Sequence, residues 1–458
     1  MSESLQVDNL QVSTIAREKV EDLCRLNGEP NWLKDKRLSA WESYLQCPMP
    51  TVKDEDWRAT LVGKLDLGKL CPAAPLKEGK TASTPALLTA ALKDLAKPGA
   101  IYVEDYASGQ MSVAVEAELS TAKVVVSPFA QAVESHKAVL EKLFAEKRGI
   151  QDKFTLMNEA LAGGGLFVHV PKNTRVEAPV VMMLNLPEKA TTAAKDPSGL
   201  AVFPRVIINV EENASINFVS IVASEKTAEA TETVLAASVV EFHIAAGAKV
   251  SVAEVTNLGP EVFFVNRVRA YVARDAVIDF STAGLGGKQT KSDIETILMD
   301  RGAHAAVKGV VFGGGAERYA YNTIAEHSAP DTTSNINFRV ALKDKSASIY
   351  QGIVKVDKVA QRTDAYQSNK NLLLGKEAKA DSIPKLEILA DDVKCSHGAT
   401  VSPVDKEQLF YLTCRGLTAP EAEELIVTGF FQQVLDTIPI QGVVNFLAAL
   451  TSDKLHKS

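Results

Sequence analysis

Basic residues are the minority charge in this sequence: 50 Lys and Arg stand against 57 Asp and Glu, a formal net charge of -7 over 458 residues. A nucleic-acid binder needs a broad basic footprint, so that class is not indicated. Long apolar runs are missing too, and nothing approaches the roughly 18 consecutive residues of a membrane span. The opening MSESLQVDNL has neither a basic n-region nor an apolar h-region, and a cytoplasmic protein without membrane contact is expected. Cysteine is scarce. Cys24, Cys47, Cys71, Cys395 and Cys414 are odd in number, widely spaced and contain no CxxC, which argues against a disulfide framework or a self-contained zinc site. Also absent are GxSxG and HExxH, and with them the usual signatures of a serine hydrolase or a zinc protease.

What is present is an ordinary globular composition, 46% hydrophobic and 23% charged, on a chain longer than one compact core usually supports. Two or more domains, or one elongated architecture with appendages, are expected. From Ser13 to about Gln46 apolar residues recur at helical spacing through IAREKVEDLCRL and NWLKDKRLSAWESYL, broken at Gly28 and Pro30. Cys47 to about Gly99 reads as irregular chain with short helices, and AVESHKAVLEKLFA as a further helix. From about Gly165 to Ile388 the sequence turns to short β-rich runs such as RVIINV, SINFVSIV and VFFVNRVRAYV, separated by Gly, Asn, Asp and Pro.

A loose repeat runs through that region: ENASINFV, GAKVSVAEV, RDAVIDFS, RGAHAAVKGV and KSASIYQGIV each place a turn residue or charge, then Ala or Ser, then alternating apolar positions. Short strands that cannot bury their own apolar faces predict a β-helix or related solenoid, with a β-sandwich as the structural alternative. After Val401 the period is helical again, with Thr418 as N-cap, Pro420 in the first turn and acidic residues suited to the helix dipole. The expected division is a helical and irregular domain over 1–150, a mainly β core over 151–400 and a helical domain over 401–458.

Candidate chemistry is sparse. GLGGKQT, at Gly284 to Thr290, fails as a phosphate loop: Thr282 stands where a Walker A needs glycine, and Gln289 follows Lys288. These glycines, like the GGG runs at Gly163 and Gly313, read as tight turns. His169 and His243 sit in alternating strand runs and read as wall or core positions, while His327, after a glutamate, is a weaker functional candidate. DDVKCSHGAT is different. Cys395 and His397, at i and i+2 of a strand, share one face. A thiolate and an imidazole suit iron and iron-sulfur clusters, yet two ligands are too few for a closed site. Packing remains the alternative, with Cys395 as a small buried hydrophobe and His397 bonded to a carboxylate such as Asp392. A thiol and base on one strand suit a cysteine nucleophile poorly.

The run SNKNLLLGKEAKADSIPKLEILADDVKCSHGATVSPVDKEQLFYLTCRGLTAPEA resembles the signature region of the SufB/SufD family of iron-sulfur cluster assembly scaffolds. PNWLKDKR, DEDWRAT and FVHVPKNTRVEAPV extend the resemblance over most of the chain, leaving about Leu61 to Lys147 uninformative. It implies a right-handed parallel β-helix core between helical ends, pairing with a SufB-like protein, and binding of a SufC-like ABC ATPase. Within the family the form is SufD-like, since the cysteine that SufB-type sequences carry near the position of Asn369 is absent. The resemblance makes His397, and secondarily Cys395, candidate ligands of a nascent iron-sulfur cluster shared transiently with the partner. It places ATPase docking between Phe410 and Phe430, including Tyr411, Arg415 and Gly416. Ser402, Pro403 and Cys414 depart from the family pattern, the last read as neutral packing. A non-catalytic scaffold subunit is the expectation; a homodimeric SufB-like scaffold and a polysaccharide-active β-helix enzyme are the alternatives, and a homodimer in isolation is possible on the same resemblance.

Overall fold

The computed structural model describes residues 15–79, 86–95, 97–145, 151–187, 199–224 and 232–457. The expected helix start at Ser13 and the boundary at residue 150 lie outside them. Helices α1 (Arg17–Leu26) and α2 (Asn31–Gln46) flank Gly28, whose φ of +62° lets the chain turn sharply after α1. Short elements follow: β1 (Cys71–Pro72), β2 (Lys77–Glu78), α3 (Ala86–Asp94), β3 (Ala100–Asp105), β4 (Gln110–Val115), α4 (Ala117–Thr121), β5 (Val125–Pro128), α5 (Phe129–Ser135) and α6 (Lys137–Ala145). Helix α7 (Lys153–Leu161) is started by a reciprocal capping box between Asp152 and Thr155.

The strand region then runs β6 (Gly164–Val170), β7 (Val180–Leu186), β8 (Gly199–Val202), β9 (Pro204–Val210), β10 (Ser215–Ser224), β11 (Thr233–Ile244), β12 (Lys249–Leu258), β13 (Val262–Val272) and β14 (Val277–Gly286). It continues β15 (Gln289–Leu298), β16 (His304–Gly313), β17 (Arg318–His327), β18 (Thr333–Leu342), β19 (Ala347–Val356), β20 (Asp364–Leu373), β21 (Lys379–Ile388) and β22 (Lys394–Pro403). From β9 onward consecutive strands alternate between two sheets, and each pairs in parallel with strands of its own sheet rather than with its neighbour in sequence. One sheet runs β21-β19-β17-β15-β13-β11-β9-β6-β5, and the other β2-β4-β3-β7-β10-β12-β14-β16-β18-β20-β22. The fold is mainly β, with parallel sheets and helical ends. The stretch that reads as uninformative in sequence supplies β3, β4 and β5, which extend both sheets through the local antiparallel pairings β3 with β4 and β5 with β6.

Parallel, in-register stacking lines equivalent residues into columns, so one apolar position repeated per strand becomes a continuous buried wall. Val168, Ile208, Phe242 and Ala270 from one sheet share a core with Phe218, Val252, Phe280 and Val307 from the other. The outer faces are covered unequally. Helices α2 and α7 pack on the first sheet against Ala237, Phe263 and Val265. The C-terminal helices α8 (Lys406–Cys414), α9 (Ala419–Leu435) and α10 (Gln441–Lys457) follow β22, and α9 lies across β16 and β18. Thr418 and Glu421 form the capping box of α9, with proline in the first turn, in the positions its sequence predicts. Gly286 and Gly287, at φ +89° and +91°, turn the chain between β14 and β15, so GLGGKQT is a strand-to-strand turn.

Candidate functional site at the end of the strand stack

β22 ends the second sheet and, among the described residues, pairs only with β20, with Cys395 beside Ala365 and His397 beside Gln367. Eight of its ten residues are exposed. Cys395 is half-buried against a small apolar cluster of Val354, Val356, Ala360, Ala365 and Ala390. Burial first, then the Asp364 carboxylate, pushes its thiol above the ordinary range. The uncharged thiol is therefore favoured in the free chain, which weakens Cys395 as a ligand until something stabilises its thiolate.

His397 is exposed, and among the described residues its ring makes no hydrogen bond. The alternative bond to Asp392 is not formed; that residue is fixed through its backbone, accepting from Arg362 N–H at 2.6 Å and donating to Gln361 Oε1 at 2.9 Å. Among the described residues no three His, Cys, Asp or Glu side chains gather as a metal site. Cys395 and His397 thus stand as two candidate ligands on a bare edge. Exposed apolar residues surround that end: Tyr366 on β20, Ile388 and Leu389 at the close of β21, and Val401 on β22.

The other sequence candidates divide. Tyr411 is 57% exposed on α8, the Arg415 guanidinium lies 5.1 Å from its ring, and Gly416 at φ +97° ends the helix. Beside them Asp405, Glu407, Gln408, Tyr411, Leu412 and Ile426 line a depression of about 380 Å³. Phe430 is half-buried and turned to the core, where the Arg339 guanidinium stands 5.6 Å from its ring. Cys414 is exposed, so it does not fill a packing position. His169 and His243 are half-buried wall residues, the first bonded to Asn209 at 2.9 Å and the second stacked on Tyr271. His327 is structural: Thr332 and Ser334 hydroxyls contact its two ring nitrogens, each at 2.8 Å, and burial pushes it down to about 4.

Two features were not read from sequence. Beneath the N-terminal helices a buried ionic row joins Asp152, Arg267, Asp293 and Glu295. Behind β22, the inward face of β20 carries Gln367, Asn369 and Asn371, all buried. The sequence signal for the latter is QSNKN, polar where earlier copies such as NINFRV alternate with apolar residues.

Two family models cover this chain: SUF system FeS cluster assembly, SufBD core domain, over residues 191–430, and the SufBD protein N-terminal region over residues 21–182. The chain belongs to the SufBD family. Its relatives include the iron-sulfur cluster assembly protein SufD of Bacillus subtilis, 29% identical over 96% of this chain and 98% of that protein. SufBD family proteins of Staphylococcus haemolyticus and Staphylococcus epidermidis are each 26% identical over 93% of this chain and 90% of theirs. Membership in SufBD displaces the polysaccharide-enzyme alternative and makes iron-sulfur cluster assembly the setting in which the bare end strand is to be understood. Among the described residues no helix of this SufBD protein is long and apolar enough to cross a membrane.

Proposed function

We propose that this SufBD protein is a non-catalytic, SufD-type scaffold subunit of the cytoplasm, which presents His397 and, secondarily, Cys395 to a nascent iron-sulfur cluster shared with a SufB-type partner. The observation that carries the reading is the position of these two residues on an edge strand, with no third ligand nearby among the described residues. An edge strand of ten residues with free backbone groups is a ready template for pairing with another chain. Exposed Tyr366, Leu389 and Val401 add the apolar area that such a contact buries. In isolation the same edge is available to a second copy of the chain.

The alternation of strands between two parallel sheets supports a right-handed β-helix for the core, residues 151–400, between an N-terminal part, 1–150, and an ATPase-docking part, 401–458. A SufC-type ATPase docks on Tyr411, Arg415 and Gly416 beside the depression on α8. Phe430 ties that surface to the core through Arg339, so that nucleotide-driven movement of the helices reaches the stack. The test is cluster formation by the chain purified with SufB- and SufC-type partners. His397→Ala is expected to lose most of the cluster and Cys395→Ser only part; undiminished formation in His397→Ala removes the ligand role.

A further inference from the structure

The inward face of the second sheet changes character in its last layers. One column runs Phe218, Val252, Phe280, Val307 and Ile336, apolar on every strand from β10 to β18 in that sheet. On β20 the same column becomes Gln367, and on β22 it ends at His397. Gln367 is 0% exposed, and its amide oxygen and amide nitrogen are both buried without a hydrogen-bond partner. A fully buried, unpartnered amide costs stability, and an apolar side chain would fill the position at no such cost.

The opposite sheet makes room for it. Its column descends Val268, Ile294, Thr323 and then Gly352, where a Cβ would overlap the Gln367 amide. The branched residue of earlier layers is therefore replaced by glycine at the layer where glutamine replaces an apolar residue. Both substitutions serve one side chain, and that side chain stands next in its column to the candidate ligand.

We propose that Gln367 is the positioning residue of His397: its amide oxygen accepts the N–H of one ring nitrogen and leaves the lone pair of the other free for metal. The proposal rests on the ligand reading above. In-register neighbours of a parallel sheet lie about 4.8 Å apart with side chains on the same face, and glutamine forms hydrogen-bonded ladders at that spacing. A metal-binding histidine almost always donates its second N–H to a carbonyl, carboxylate or water, which sets the tautomer and the ring plane. His397 has no such acceptor among the described residues, and Gln367 Oε1 has no donor. Their in-register pairing sets the two side chains in adjacent layers of one column.

Two measurements decide it. In the complex with SufB- and SufC-type partners, Gln367→Met removes the acceptor while keeping the shape, and is expected to weaken cluster retention against a chelator by about 10- to 100-fold. Gln367→Glu keeps the acceptor and is expected to restore retention to within a few-fold of wild type. In the full chain labelled with ¹⁵N-histidine, the His397 ring nitrogens are expected to report one tautomer in wild type and a mixture in Gln367→Met. Thermal melting of Gln367→Met is expected to match or exceed wild type, so that neither result is a folding defect. Wild-type retention together with an unchanged His397 tautomer in Gln367→Met overturns the proposal and leaves the ligand reading standing. Undiminished cluster in His397→Ala overturns the ligand reading instead, and the tautomer measurement still decides the Gln367 contact.

Discussion

At the scale of single residues, the buried titratable groups carry opposite pH signatures. Glu254 lies in the core, accepts from Asn266 at 2.8 Å and Thr282 at 3.0 Å, and is pushed by burial up to about 7. His327 is pushed by burial down to about 4. Folding favours the neutral form of each. As pH falls from about 7 toward 4.5, folded Glu254 binds a proton that the unfolded chain does not yet hold, so its contribution stabilises. As pH falls from about 6.5 toward 4, unfolded His327 binds a proton that the folded chain refuses, so its contribution is lost. Each effect is on the order of 3 kcal/mol, and over their shared window they offset one another. Relative to wild type, Glu254→Gln should therefore lose stability as pH falls through that window, whereas His327→Asn should gain it. Urea midpoints measured between pH 7 and 4 check both signs; parallel curves for the three proteins would show that neither group titrates as its burial demands.

At the scale of elements, capping and ion pairing hold the helices to the stack by different amounts. Asp152 caps α7 and also accepts from Arg267 on β13, at 2.9 Å. Arg267 reaches Asp293 at 3.2 Å and Glu295 at 2.8 Å as well, all with little exposure. Removing its guanidinium leaves Asp152 without its cation, while Asp293 keeps Lys291 and Glu295 keeps Arg269, and Arg267→Met should destabilise the chain by about 3 kcal/mol. Arg17, paired with Glu21 and Glu42 at the surface, is the control: with more than half of its side chain exposed, its loss should cost no more than about 1 kcal/mol. Chemical denaturation separates the two. None of these long-range pairs is legible in sequence, because Asp152 and Arg267 are brought together only by the packing of α7 on the first sheet. The caps, by contrast, are local, and Thr418, Pro420 and Glu421 announce α9 without any tertiary information.

At the scale of the whole molecule, the C-terminal helices pack on the second sheet from β14 to β20 and leave its end strand β22 largely exposed. α3 and α10 pack together, α9 crosses β16 and β18, and Leu372 of β20 joins the apolar cluster beneath it. The uncovered end is where Tyr366, Leu389 and Val401 are exposed and where His397 sits. Placing a charge there should block association and spare folding: Val401→Lys combined with Leu389→Lys is expected to leave the chain folded and to abolish its complex with a SufB-type partner. Size-exclusion chromatography with light scattering reads the outcome, and an intact complex would move the interface elsewhere. Repeated alternation of apolar residues makes the stacked strands legible in the sequence, yet β3 to β5 escape because strands so short and mixed carry little periodicity.

By itself the sequence determined the class of protein: alternation and turn residues are local, and so are the DDVKCSHGAT and LTAPEA signatures that mark its family. Burial and adjacency were decided only in three dimensions. Whether Cys395 packs or projects depends on Val354 and Ala360, which come from outside its own strand, and Phe430 turns toward Arg339 because α9 crosses β18. Gln367 stands beside His397 through a pairing of β20 with β22 that joins residues 30 positions apart. Parallel register converts distance along the chain into contact between layers, and sequence spacing alone does not encode which layers face one another.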